Sequence, residues 1–125
     1  MTENEISKIV VDAAIKIHRV LGPGLLESVY EAALAYELET RGCQVKKQQA
    51  IPVIYETVQL EIGFRADLIV NDKVIIEVKS IEALAPIHGK QVLTYLRLTD
   101  KRLALLINFN VELLKDGLRR IVNNL

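Results

Sequence analysis

Two short runs of Val, Ile and Leu between residues 65 and 79 flank an Asn71-Asp72 pair, and charged residues interrupt both runs. The apolar content predicts two strands with largely buried faces. Asn and Asp tolerate the left-handed backbone of a tight turn, so the strands are predicted to form a hairpin. Burying a charge is costly unless it is paired or bound to a metal. The charges in this hairpin therefore constrain the fold more than any other feature.

The length of the turn decides where those charges lie. A three-residue loop at 71–73 pairs Val70 with Val74. Asp67 then lies opposite Glu77, whereas a two-residue loop would put the two acids on opposite faces. The alternation of a strand predicts one face with Arg65, Asp67, Glu77 and Lys79 and another with Ala66, Leu68, Val74, Ile76 and Val78. A site that uses both acids requires the three-residue loop.

Composition limits the class of protein. A chain of 125 residues, half of them apolar, is expected to form one globular domain over residues 1–125. No apolar run is long enough for a transmembrane helix and the N-terminus does not resemble a signal peptide, so we expect no membrane association. Cys43 is the only cysteine, which excludes an internal disulfide and favours a cytoplasmic location. Because the net charge is zero, any nucleic acid must be bound through a local basic surface.

The pattern along the chain predicts a mixed α/β fold. Helical spacing predicts helices ending near Leu21, over 26–41 and over 87–98. Strands are predicted over 45–55, in the hairpin, over 103–109 and, at the edge, over 117–122. The strand–helix–strand passage from 74 to 109 predicts two parallel strands with a right-handed crossover. The expected architecture is a mixed β-sheet flanked by helices.

Asp67 and the triplet Glu77-Val78-Lys79 provide the groups that a metal-dependent phosphodiesterase needs. Two carboxylates suit a hard divalent cation, and an adjacent ammonium suits a phosphate substrate. The alternative is a buried ion-pair network of both acids with Arg65 and Lys79.

The order of elements, together with these acidic and basic positions, resembles the PD-(D/E)XK phosphodiesterase superfamily, which has a restriction-endonuclease-like fold. More narrowly, the segment Gly24-Leu-Leu-Glu27-Ser-Val-Tyr30 is similar to the signature of the GxxExxY protein family. The segments 18–24 and 106–109 also resemble that family. The resemblance implies an α-β-β-β-α-β core with an extra N-terminal helix.

The resemblance also implies roles for individual residues. Mg²⁺ or Mn²⁺ would be held by Asp67, Glu77 and the Val78 carbonyl, with Glu27 assisting directly or through water. Lys79 would orient or activate the attacking water, or stabilise charge on the phosphate. Two alternatives remain open: Lys79 as a counter-ion to the acids, and Glu27 as a carboxylate that is favoured only by the helix dipole.

The predicted third helix carries a second group of candidate site residues. Gln91 and Tyr95 are four residues apart and share a face with His88. This Gln-x-x-x-Tyr spacing resembles a motif beside the metal site in nucleases of the recombination-exonuclease branch. A polar stripe on the helix surface is the alternative, and His88 is also compatible with a solvent-facing position near the helix start. For Tyr30 a core position is at least as well supported as a cleft position, and for His18 we favour a structural histidine at the end of the first helix.

The sequence therefore predicts a metal-dependent phosphodiesterase, a nuclease with DNA as the expected substrate, although no residue pattern distinguishes DNA from RNA. The strongest rival is a non-catalytic nucleic-acid-binding or regulatory module that retains the fold. A small-molecule hydrolase is disfavoured because no nucleophile–base pair is apparent. So small a neutral domain offers little surface for a long duplex, which favours a homodimer or a protein partner. The small basic groups, such as Lys46-Lys47 and Arg119-Arg120, are a weak signal.

Overall fold

The computed structural model describes residues 1–125 and contains three helices and seven strands. The helices are α1 (Glu3–Leu21), α2 (Glu27–Thr40) and α3 (Pro86–Thr99). The strands are β1 (Val45–Ile51), β2 (Ile54–Tyr55), β3 (Val58–Gln59), β4 (Phe64–Val70), β5 (Val74–Lys79), β6 (Leu103–Asn108) and β7 (Leu118–Val122). No helix is long and apolar enough to cross a bilayer.

Five strands form one mixed sheet in the order β1-β4-β5-β6-β7. Strands β5 and β6 are parallel, joined through α3, and all other neighbours are antiparallel. The predicted α/β architecture, the parallel pair and the edge strand β7 are thereby confirmed. Val70 pairs with Val74 across the loop 71–73, which confirms the three-residue turn. Asn71 and Asp72 have φ angles of 51° and 56°, the left-handed values for which these residue types are suited.

Helices cover both faces of the sheet. Helices α1 and α2 pack with one face in a core cluster of 20 buried residues, and α3 packs with the other face in a cluster of seven. Helix α1 starts with a capping box in which the side chains of Thr2 and Glu5 bond each other's backbone N–H. Helix α2 buries Tyr30, Leu34 and Leu38. Val29, which precedes Tyr30, is 41% exposed at the margin of these buried residues.

Two further predictions about the sheet are corrected. Residues 45–55 do not form one strand, because Pro52 has no N–H to donate to the ladder and the chain leaves the sheet after Ile51. Strands β2 and β3 instead form a separate two-stranded ribbon. Ala66 does not share the side of Leu68 but packs into the α3 cluster. Strict alternation fails there because the regular pairing of β4 with β5 reaches only Leu68 and Ile76.

Candidate active site

The two acids of the hairpin meet where the regular pairing of β4 with β5 ends. An uninterrupted ladder would continue with bonds between backbone groups beyond Leu68 and Ile76. In its place the Val78 N–H donates to Asp67 Oδ2 at 2.8 Å, and the Asp67 N–H donates to Glu77 Oε1 at 3.3 Å. Each carboxylate thus accepts a bond from the opposite strand. This reciprocal arrangement holds the two carboxylates side by side.

The pair carries negative charge that no cation neutralises in an ion pair. Glu77 is only 7% exposed, and none of the salt bridges includes Asp67 or Glu77. Burial, and secondly the charge of Asp67, raise the pKa of Glu77 from its ordinary value of 4.5 to about 8. Lys79, half-buried at the end of β5, lowers that pKa through its charge but forms no salt bridge. The alternative, an ion-pair network of both acids with Arg65 and Lys79, is therefore not formed.

Glu27 lies at the first position of α2 and faces the segment that follows β5. Its Oε2 accepts a bond from the Ser80 N–H at 3.3 Å, while the Ser80 hydroxyl donates to the Leu25 carbonyl at 2.6 Å. These contacts attach the start of α2 to the end of the Glu77-Val78-Lys79 strand. Glu27 does not join Asp67 and Glu77 in one ligand set, because no three His, Cys, Asp or Glu side chains are grouped to hold a metal ion.

Tyr30 has a structural position. Its ring is fully buried and stacks on Phe109 at a centroid distance of 4.5 Å. Its hydroxyl donates to the Gly22 carbonyl at 2.5 Å and accepts from the Leu25 N–H at 3.1 Å. Tyr30 therefore fixes the loop that leads into Glu27, which supports the core alternative for this residue.

Two further residues from the family-like segments also anchor loops. The amide of Asn108, 1% exposed, accepts from the Ile81 N–H and donates to the Ile81 carbonyl, at 3.1 and 3.0 Å. His18 Nε2 lies 2.7 Å from the Val111 carbonyl oxygen, which fits the structural histidine that we favoured. Together these contacts immobilise the segments next to the end of β5.

Helix α3 contributes one aromatic side chain to the neighbourhood of the acids. Tyr95 stacks on Phe64 at a centroid distance of 3.8 Å. Burial raises the pKa of Tyr95, and the charges of Glu77 and Asp67 raise it further, so the phenol lies within electrostatic reach of both acids. Gln91 is exposed and its side chain has no hydrogen-bond partner in the protein. His88 Nδ1 accepts from the Ala85 N–H at 2.9 Å, which makes it a residue of the helix start.

Sequence reasoning missed two residues beside Asp67, namely Glu31 and Gln48. Gln48 Nε2 donates to Glu31 Oε1 at 2.7 Å and to Asp67 Oδ1 at 3.3 Å. Burial raises the pKa of Glu31, and the charges of Asp67 and Glu27 act in the same direction. The spacing of Glu27 and Glu31, one helical turn apart, was a signal that could have identified Glu31. No local pattern identifies Gln48, because its approach to Asp67 depends on the pairing of β1 with β4.

The chemistry of this donor set fits a hard divalent cation. Such a cation prefers carboxylate oxygens and relieves the repulsion between Asp67 and Glu77, which no ion pair relieves. The site thus combines two adjacent carboxylates, one of them buried, with a lysine two residues along the same strand.

A family profile described as the PD-(D/E)XK nuclease superfamily matches residues 4–121, nearly the whole chain. The mixed five-stranded sheet with its flanking helices is consistent with a restriction-endonuclease-like α/β fold. No curated protein and no solved structure matches the chain significantly. On the strength of the family match, the chain belongs to the PD-(D/E)XK nuclease superfamily.

Proposed function

We propose that this protein is a metal-dependent nuclease that hydrolyses DNA phosphodiester bonds with Mg²⁺ or Mn²⁺ bound at Asp67 and Glu77. The observation that carries the proposal is the reciprocal contact of the two carboxylates at the open end of the β4–β5 ladder. Membership of the nuclease superfamily supports a nucleic acid as the substrate. The similarity of the segment from Gly24 to Tyr30 to the GxxExxY signature supports a more specific assignment to that family.

The cation would be held by Asp67 and Glu77, with the Val78 carbonyl as a third oxygen and Glu27 assisting through water from α2. When bound, it supplies Lewis-acid stabilisation of the phosphate and a more acidic water. Glu77 must lose its proton to serve as a ligand, and the ammonium of Lys79 favours that loss. Lys79 would also orient the attacking water or stabilise negative charge on the scissile phosphate.

Cleavage assays test the proposal directly. Purified protein with 5′-labelled single- and double-stranded DNA, and matched RNA, should give products with Mg²⁺ or Mn²⁺ and none with EDTA. Glu77→Ala should reduce the rate by about a hundredfold or more, because the buried carboxylate is lost from the site. Glu112→Gln is a suitable control, since Glu112 is exposed and forms no salt bridge.

A non-catalytic binding module is the competing function. Its support is that Asp67 and Glu77 already accept backbone N–H bonds and that no third acid joins them. Binding of DNA that is unaffected by Glu77→Ala, without cleavage in any divalent cation, would favour this function. Measuring the oligomeric state of the same samples tests the proposed homodimer, and fractionation of cells tests the proposed cytoplasmic location.

Gln91 and Tyr95 are proposed to contact the substrate or a water at the site from α3. Gln91→Ala and Tyr95→Phe should each lower kcat by about tenfold, the size of one lost hydrogen bond. Tyr95→Phe keeps the ring that stacks on Phe64 and removes only the hydroxyl. In urea, the free energy of unfolding of each variant should lie within ~0.5 kcal/mol of that of the unmodified protein. Thr94→Ala, on the exposed side of the same helix, is the control. Full activity of a variant that combines Gln91→Ala with Tyr95→Phe would show that α3 only covers the sheet.

A further inference from the structure

Strand β1 is irregular at one residue, Gln48, directly beside the acidic pair. Lys47 pairs with Leu68 and Gln49 pairs with Ala66, but the position between them, Gln48 facing Asp67, is missing from the ladder. Gln48 has a φ angle of +48°, in the left-handed region that side-chain-bearing residues rarely adopt. An irregularity that served only the shape of the strand would be better formed by glycine.

The irregular backbone brings Gln48 into contact with three charged residues. Its Nε2 group has two hydrogens and donates to Glu31 on α2 at 2.7 Å and to Asp67 on β4 at 3.3 Å. The backbone carbonyl of Gln48 accepts a hydrogen bond from Arg65 Nη1 at 3.3 Å. One neutral residue thus joins the helix that carries Glu27 to the strand that carries Asp67.

The contact with Asp67 completes the fixation of that carboxylate. Oδ2 of Asp67 is held by the Val78 N–H and Oδ1 by the Gln48 amide. With only the first bond, the carboxylate can turn about it, whereas two bonds from different strands fix its plane. A lysine at position 48 would also reach both acids, but its charge would compete with a bound cation. The neutral amide orients Asp67 and leaves its negative charge available.

We propose that Gln48 is a positioning residue, which holds the Asp67 carboxylate in the orientation for divalent-cation binding and is itself anchored by Glu31. This inference rests on the proposed function, because it assigns Asp67 as a ligand. It predicts that replacing Gln48 lowers the cation affinity without lowering the stability of the metal-free protein. Replacing a residue that only supports the fold would instead lower both the stability and the cation affinity.

Gln48→Gly separates the two effects, since glycine adopts the left-handed backbone freely and has no amide side chain. In EDTA its Tm should equal or exceed that of the unmodified protein. Its Mn²⁺ affinity, measured by calorimetry, should fall about 10- to 100-fold, as for other residues that orient metal ligands. Cleavage at subsaturating Mn²⁺ should fall in parallel. Glu56→Gly is the matched control: Glu56 also has a positive φ, of 57°, but lies in the β2–β3 turn, so its affinity and cleavage should not change.

A double variant tests the anchoring by Glu31. Glu31→Ala should weaken Mn²⁺ binding, and adding it to Gln48→Gly should cause no further loss, because the same contact is already removed. Mn²⁺ affinity of Gln48→Gly within twofold of the unmodified protein, or a loss matched by a lower Tm in EDTA, would overturn the inference while the nuclease proposal survives. If the unmodified protein neither binds Mn²⁺ nor cleaves nucleic acid, both proposals fail together.

Discussion

Glu77→Gln is expected to make the metal-free protein more stable at alkaline pH while it abolishes cleavage. Burial and the charge of Asp67 raise the pKa of Glu77 to about 8 in the folded state, against an ordinary value of 4.5. Between these values the folded chain retains a proton that the unfolded chain has released. The free energy of unfolding therefore falls as pH rises through this interval, and the loss is complete above pH 8. Because glutamine cannot ionise, the Glu77→Gln variant does not lose this free energy of unfolding.

The rise in the pKa of Glu77 from 4.5 to about 8 lowers the free energy of unfolding at alkaline pH by as much as about 5 kcal/mol. The unfolding free energies of Glu77→Gln and the unmodified protein should converge below about pH 4, where Glu77 is largely protonated in both states. They should separate progressively up to pH 9, with a Tm difference there of about 10 °C or more. Urea unfolding at several pH values in EDTA measures this difference. Glu112→Gln should follow the unmodified protein throughout, and parallel curves for Glu77→Gln would show that Glu77 ionises normally.

Mn²⁺ should raise the Tm of the unmodified protein by a large amount that depends on Asp67. A ligand that binds only the folded state stabilises it by about 2.7 kcal/mol at a hundred times its Kd, which corresponds to about 5–10 °C here. Cation binding must displace the proton from Glu77, so the increase should be larger at pH 8.5 than at pH 6. Thermal unfolding with and without 1–10 mM Mn²⁺ at both pH values tests this.

Asp67→Asn should remove the Mn²⁺ effect, because an amide is a far weaker ligand for a hard cation than a carboxylate. Asp12→Asn, an exposed change on α1 with no salt-bridge partner, should retain the full effect. An undiminished increase in Asp67→Asn would place the cation at another site. A rise in Tm that does not depend on pH would show that cation binding does not displace the proton from Glu77.

Local sequence contains the information for the hairpin because its signals act over a few residues. Asn71 and Asp72 accept left-handed backbone, and the apolar residues on either side specify which register buries them. That register alone brings Asp67 towards Glu77. The parallel pairing of β5 with β6 followed in the same way from the helix that connects them.

The prediction of strict alternation failed where three strands meet. Ala66 packs with the α3 cluster, although counting along β4 assigns it to the side of Leu68. The change comes from the open end of the β4–β5 ladder and from the missing pair at Gln48 in the neighbouring strand. The second depends on the pairing of β1 with β4, between residues about twenty positions apart. No window of local sequence contains that information.

The sequence by itself determined most of the elements, the position of the hairpin turn and the identity of the acidic pair, since residue type and spacing set all three. Tertiary structure decided how the acids are held: Asp67 between Val78 and Gln48, and Glu27 at the backbone of Ser80. It also decided that Tyr30 is a buried loop anchor. The physical reason is that a carboxylate's orientation and pKa depend on the groups that surround it in space, and those groups come from four separate elements of the chain.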